Sequence, residues 1–204
     1  MRIFLCLVII LSFSGAAFAA KPPEQAVRGA QYAIDAKNAD RFEQLVDIRR
    51  ILDAAMDLLL TEANKPGGQL PPLLALMLSS AKDSQTLAGL RALIAREAHI
   101  FVRYGVLSGN FAGKPDQSIR SGGILAPLFS SVSTGRKELR VAGPAARSGP
   151  EQAFLPVELK DHGNGNSYPL LLRLQWNASD WQIVEVVNLP DIWNQIQAEA
   201  EAQR

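Results

Sequence analysis

The chain has one cysteine, Cys6, and it lies in an N-terminal apolar run that reads as a removable leader. Without that run no thiol remains, which excludes a disulfide, a cysteine nucleophile and cysteine metal ligands. Such a chain is compatible with an oxidising compartment but does not require one. Histidine is almost as scarce: His99 and His162 stand far apart. A zinc site needs three or four clustered His, Cys, Asp or Glu ligands, and no such spacing occurs, so neither metal nor cofactor is expected. Net charge is also missing. Lys and Arg number 21 against 20 Asp and Glu, and losing the leader removes Arg2, leaving the signs equal. That balance gives no support for binding nucleic acid or anionic membranes.

The opening "MRIFLCLVIILSFSGAAFAAKPPEQ" places Arg2 before an apolar run, Ile3 to Phe13, followed by small residues and Ala17-Phe18-Ala19. This is the layout of a signal peptide cleaved after Ala19, and it predicts a periplasmic or secreted protein. The Ser, Gly and Ala of its second half are too weakly apolar for a stable span, so no membrane helix is expected after cleavage. Cys6 lacks the preceding small residues of a lipidation site. Residues 20–204 suit a single domain. Asn177-Ala178-Ser179 matches a glycosylation sequon, here read as a chance match.

Helical spacing of Ala26, Val27, Ala30, Ala33 and Ile34 predicts a helix over 24–37. Asp40 is placed to cap a second, continuous helix over 41–63, whose wide apolar stripe implies cover on more than one side. "NKPGGQLPP" is a loop. Leu73 to Ser80 reads as a short apolar helix, and Asp83 caps a longer one carrying Leu87, Leu90, Leu93, Ile94, Ile100, Phe101 and Tyr104. Residues 119–134 read as irregular. Then "KELRVAG", "QAFLPVELK", "YPLLLRLQW" and "WQIVEVVNL" form about four strands, with hairpin turns at Asn164-Gly165 and "NASD". A helix over 191–203 follows Pro190. Helices over 24–134 and an antiparallel sheet over 136–190 make an α+β domain.

All three tryptophans fall between 176 and 193. Trp176 and Trp181 are placed to pair across a hairpin. Simple alternation then puts Ile183, Glu185, Val187 and Leu189 on one face, and Gln182, Val184, Val186 and Asn188 on the other. Trp193 is positioned to fold back over the sheet. The cluster is read as sheet and core architecture, with the aromatic rim of a pocket as the alternative.

"YAIDAKNADRFEQLVDIRRILDAAM", with Asn38, Asp40, Phe42, Val46 and Asp47, resembles the opening of exported bacterial envelope proteins of the nuclear transport factor 2-like, cone-shaped α+β superfamily. "WQIVEVVNLP" is similar to the closing strand of uncharacterised members, with Trp181 at its start and Leu189-Pro190 at its end. The resemblance covers 24–60 and 138–190. It implies helices packed into the concave side of a curved sheet around a cavity. That superfamily holds isomerases, dehydratases, binding modules and transport adaptors, so fold analogy does not choose a function.

Familiar catalytic patterns fail. Ser79-Ser80-Ala81-Lys82 fits S-x-x-K, but its companion S-D-N and K-T-G motifs are missing. "GNFAGKP" is one residue short of a phosphate loop and has Pro115 where Ser or Thr belongs. Asp35, Asp47, Asp53 and Asp57 are conceivable general bases by their place on the early helices, given burial that raises a pKa. Against that, Arg49 and Asp53 at i,i+4, with Arg50 and Asp57 two turns apart, read as a solvated ion-pair face. His162 reads as a solvated turn residue, and His99 as a flank or core histidine. No catalytic, ligand-binding or metal residue is therefore assigned. The expectation is a non-enzymatic exported module that holds a small apolar ligand in a cone or docks to another envelope protein. The alternative is an isomerase- or dehydratase-like enzyme with a buried carboxylate opposite Tyr32 or Tyr104. A third use is an interface on Leu70, Leu73, Leu74, Leu76 and Met77.

Overall fold

The computed structural model describes residues 21–63, 65, 72–80, 83–119 and 135–202; the leader and most of the 119–134 stretch lie outside them. Six helices are described: α1 (Glu24–Asp35), α2 (Ala39–Leu45), α3 (Ile48–Ala63), α4 (Pro72–Ser80), α5 (Ser84–Leu107) and α6 (Leu189–Ala202). The strands are β1 (Lys137–Val141), β2 (Ala146–Arg147), β3 (Gln152–Asp161), β4 (Ser167–Trp176) and β5 (Trp181–Val186). All pairings are antiparallel in the order β1-β3-β4-β5, with the two-residue β2 added beside β3. The α+β architecture, helices first and meander after, follows the pattern of the sequence. The strand count rises from about four to five because β2 continues the edge begun by β1.

Two local departures matter. The helix expected over 41–63 is broken: Val46 is extended (φ −129°, ψ 116°) and bridges Ile183 of β5. Asp47 N donates to the Ile183 carbonyl at 2.8 Å, and its Oδ1 accepts from Arg50 N at 3.0 Å, capping α3. The cap of α2 is Asn38, accepting from Arg41 N at 2.9 Å, while Asp40 sits in the first turn. Short polar side chains at that position satisfy a helix donor. Asp83 caps α5 as expected, accepting from Thr86 N at 2.7 Å.

The second departure lies in β5. A bulge opposite Arg173/Leu174 breaks its alternation. A bulge inserts one residue and re-aims its side chain. Ile183 and Val184 are therefore both buried, between the half-buried Gln182 and Glu185, and the expected division into two faces is corrected.

α1 lays Ala26, Val27 and Ala30 on the sheet, against Leu155, Val157, Leu172, Leu174, Trp181 and Ile183, with Leu45 and Val46 closing the side. Leu45, Leu155, Leu174, Val27 and Val157 are fully buried. Burying each such side chain contributes about 1.5–3 kcal/mol relative to leaving it in water. A second cluster joins Met56 and Ile94 to Leu59, Met77, Leu90 and Leu93, tying α3, α4 and α5 together.

Trp176 and Trp181 do pair across the hairpin, edge to face with ring centroids 5.6 Å apart. Trp181 is a core anchor: 2% exposed, it donates Nε1–H to the Lys21 carbonyl at 2.6 Å, and the Arg147 guanidinium lies 5.4 Å from its ring. Trp193 is half-buried in α6, which is held to β4 by Gln195 donating to the Ser167 carbonyl and Tyr168 donating to Glu199. Both sheet edges are engaged. On β1, Leu139 N donates to the Gln31 side chain at 2.7 Å; on β5, the Ile183 carbonyl is taken by Asp47. Occupied edges resist pairing with a further strand.

Candidate functional site

Between α1 and the sheet the buried side chains form one contiguous apolar cluster. A groove of about 390 Å³ lies between α3 and α5. α5 runs antiparallel to α2 and α3: its early Arg91 reaches Asp57, and its later His99 and Arg103 reach Glu43 and Asp40. α3 supplies Arg49, Leu52 and Asp53 to the groove; α5 supplies Ala88, Arg91, Ala92, Ala95, Arg96 and His99. Ala88, Ala92 and Ala95 fall at i, i+4 and i+7, so the α5 face on the groove carries three methyl groups between the longer Arg91, Arg96 and His99. Short side chains on one wall leave the depression that a leucine would fill.

Most of the charges on this groove are committed. Arg91 donates to Asp57 Oδ1 at 2.6 Å and to the Asp53 carbonyl at 3.3 Å, clamping α5 to α3. Arg96 meets the buried Glu97 at 3.2 Å. His99 Nε2 lies 2.9 Å from Glu43 Oε1, whose other oxygen accepts from Arg103 at 2.8 Å. Arg103 also donates to Asp40 at 2.6 Å, and the Asp40 and Glu43 carboxylates raise its pKa further above the ordinary arginine value. The chain Asp40–Arg103–Glu43–His99 therefore fixes the imidazole at one end of the groove. Charge-assisted hydrogen bonds of this kind are stronger than neutral ones.

Arg49 and Asp53 are different. The i,i+4 pair anticipated from their spacing does not form: among the described residues neither the Arg49 guanidinium nor the Asp53 carboxylate has an ionic or hydrogen-bonding partner. Arg50 and Asp57 are not paired either, since Arg50 reaches Gln175 at 3.4 Å and Asp57 takes Arg91.

The other sequence candidates are dispersed. Asp35 is exposed and accepts from Gln31 at 3.1 Å, and Asp47 is a helix cap. Tyr32 is 73% exposed, and the Tyr104 hydroxyl donates to the Ile119 carbonyl at 3.0 Å, so neither faces a carboxylate in the interior. His162 is exposed, with Nε2 2.8 Å from Glu138 Oε2. Ser79 donates to the Leu76 carbonyl within α4, and Lys82 lies outside the described residues. Of the apolar interface residues, Leu76 is 67% exposed and Met77 packs against Met56 and Ile94. Leu70 and the side chains of Leu73 and Leu74 lie outside what is described. Among the described residues no three His, Cys, Asp or Glu side chains converge as metal ligands, and no helix is long and apolar enough to cross a membrane.

The alanine spacing on α5 and the Arg49–Asp53 spacing on α3 are both present in the sequence. What brings them onto one groove is the tertiary pairing of the two helices, which neither segment encodes alone. No protein-family model matches this chain, and neither a curated protein nor a solved structure is detectably similar to it.

Proposed function

We propose that this protein is an exported, non-enzymatic binding module that takes its ligand in the open groove between α3 and α5. The supporting observation is the contrast between the buried side-chain cluster of the α1–sheet core and an outer recess with an apolar surface and two charges that are unengaged among the described residues. Concave, largely apolar surfaces with a few polar groups are where small ligands bind. The nuclear transport factor 2-like kinship belongs to this proposal, as does export by residues 1–19; it rests on the helical opening and the Trp181-led strand.

The isomerase- or dehydratase-like alternative needs a carboxylate buried opposite a tyrosine. The buried acids Asp161 and Glu97 are instead engaged by Lys137 and Arg96, and Tyr32 and Tyr104 are turned elsewhere. Native mass spectrometry of the protein from its exported fraction tests the binding reading. The wild type retains a stoichiometric small molecule, and Ala92→Trp, which fills the groove, loses it while keeping its denaturation midpoint. A bound mass that survives Ala92→Trp, or a bare wild type, contradicts it.

A further inference from the structure

Opposite charges at i,i+4 on one helix normally pair, gaining a few tenths of a kcal/mol. Arg49 and Asp53 forgo that pairing, and both line the groove. The other charged groups there have partners: Arg91 has Asp57, Arg96 has Glu97 and His99 has Glu43. Among the described residues the groove thus presents one unengaged cation and one unengaged anion, separated by four residues or about 6 Å of helix rise. Leu52 and the methyl groups of Ala88, Ala92 and Ala95 form the apolar floor beside them.

A purely apolar occupant would cover both charges and give them no partner, and an unpaired, desolvated charge is costly. A simple anion would answer Arg49 and face Asp53 with like charge. A simple cation would answer Asp53 and face Arg49. Only a ligand carrying both signs satisfies both groups while its hydrocarbon part covers the floor. We infer that the groove binds a zwitterion of amino-acid size. Its carboxylate is taken by the Arg49 guanidinium, which suits a two-oxygen acceptor, and its ammonium by Asp53. An aliphatic or aromatic side chain lies over Leu52 and the α5 alanines. A groove of about 390 Å³ is at the small end of the range for ligand pockets, which suits an amino acid better than a drug-sized molecule. The inference rests on the groove being the binding site and adds the class of ligand it selects.

The test is an amide chemical-shift titration of the purified protein with four probes: L-leucine, leucyl-leucine, isocaproate, which lacks the ammonium, and isoamylamine, which lacks the carboxylate. The expected result is saturable shifts at Ala88, Ala92 and Ala95 with L-leucine, at an affinity at least tenfold above that for either half-ligand. Leucyl-leucine distinguishes a free amino acid from a short peptide as the source of the zwitterion, since tighter binding assigns the groove to peptides. Arg49→Gln then brings L-leucine down to the level of isoamylamine, and Asp53→Asn brings it down to isocaproate. Equal affinity for L-leucine and either half-ligand in the wild type overturns the zwitterion while leaving the groove reading intact. The absence of saturable groove shifts with every probe overturns the zwitterion. Retention of the natural ligand by Ala92→Trp separately overturns the groove reading.

Discussion

Two helices in this molecule present alanine-rich faces, and the fold treats them in opposite ways. α1 buries Ala26 and Ala30 in one cluster with Leu45, Leu155, Leu174 and Trp181. α5 turns Ala88, Ala92 and Ala95 towards a partner wall of Arg49, Leu52 and Asp53, and an open groove remains. Small residues allow close approach but do not cause it; the side chains across the gap decide whether the space is filled. Between α1 and the sheet the space becomes core, and between α3 and α5 it stays an open groove.

The sharpest break in that comparison comes from large-to-small changes. Leu155→Ala empties a fully buried position and is expected to cost about 2–5 kcal/mol, from lost transfer energy plus the cavity left behind. Leu52→Ala, at a half-buried position on the groove, is expected to cost roughly 1 kcal/mol. Urea denaturation of the two variants measures the difference. Equal costs would mean that the groove floor is as enclosed as the core.

A smaller effect tests how α2 is anchored beside the core. Asn38→Ala removes the cap on Arg41 N and is expected to cost about 1 kcal/mol by the same denaturation measurement. Asp40→Ala leaves the cap in place and loses a pairing with Arg103 in which Asp40 is 78% exposed, so a smaller loss is expected. The reverse order would make Asp40 the cap.

The smallest effect is confined to the sheet side. Arg140, and after it His162, hold the Glu138 carboxyl at about 2, against an ordinary value of 4.5. A carboxylate depressed in the folded state stabilises it above the ordinary pKa, and that contribution is lost as pH falls through the folded value. The window is therefore pH 4.5 down to about 2. In an NMR titration, Arg140→Gln is expected to move the Glu138 midpoint up towards 4.5 and leave the groove resonances unchanged. An unmoved midpoint would show that Arg140 is not its principal partner.

Much of this architecture is legible in the sequence because its signals are local. The apolar spacing of α1, the Asp83 cap, the Asn164-Gly165 hairpin and the Trp176–Trp181 pairing all act over a few residues. The failures are non-local. Val46-Asp47 carries neither glycine nor proline, so nothing nearby announces a break; the break is made by β5, which pairs with Val46 and takes Asp47 N. The bulge at Ile183-Val184 is equally silent, since two β-branched residues in a row read as ordinary strand. Arg49 and Asp53 mislead for a related reason. Their spacing satisfies the pairing rule, yet both face α5, and only the packing of two helices distant in sequence shows the groove between them.

The most direct test of the account is to make one substitution twice. Ala30→Leu adds three carbons where α1 meets the sheet at 0% exposure, and Ala92→Leu adds the same atoms on the groove wall. Overpacking a filled interior costs about 1–3 kcal/mol or more, whereas a change at an open position stays within about 0.5 kcal/mol. The account predicts a large fall in denaturation midpoint for Ala30→Leu and almost none for Ala92→Leu. Tolerance of Ala30→Leu would reveal a hollow space beneath α1 and return the ligand to the interior, contradicting the division on which the proposal stands.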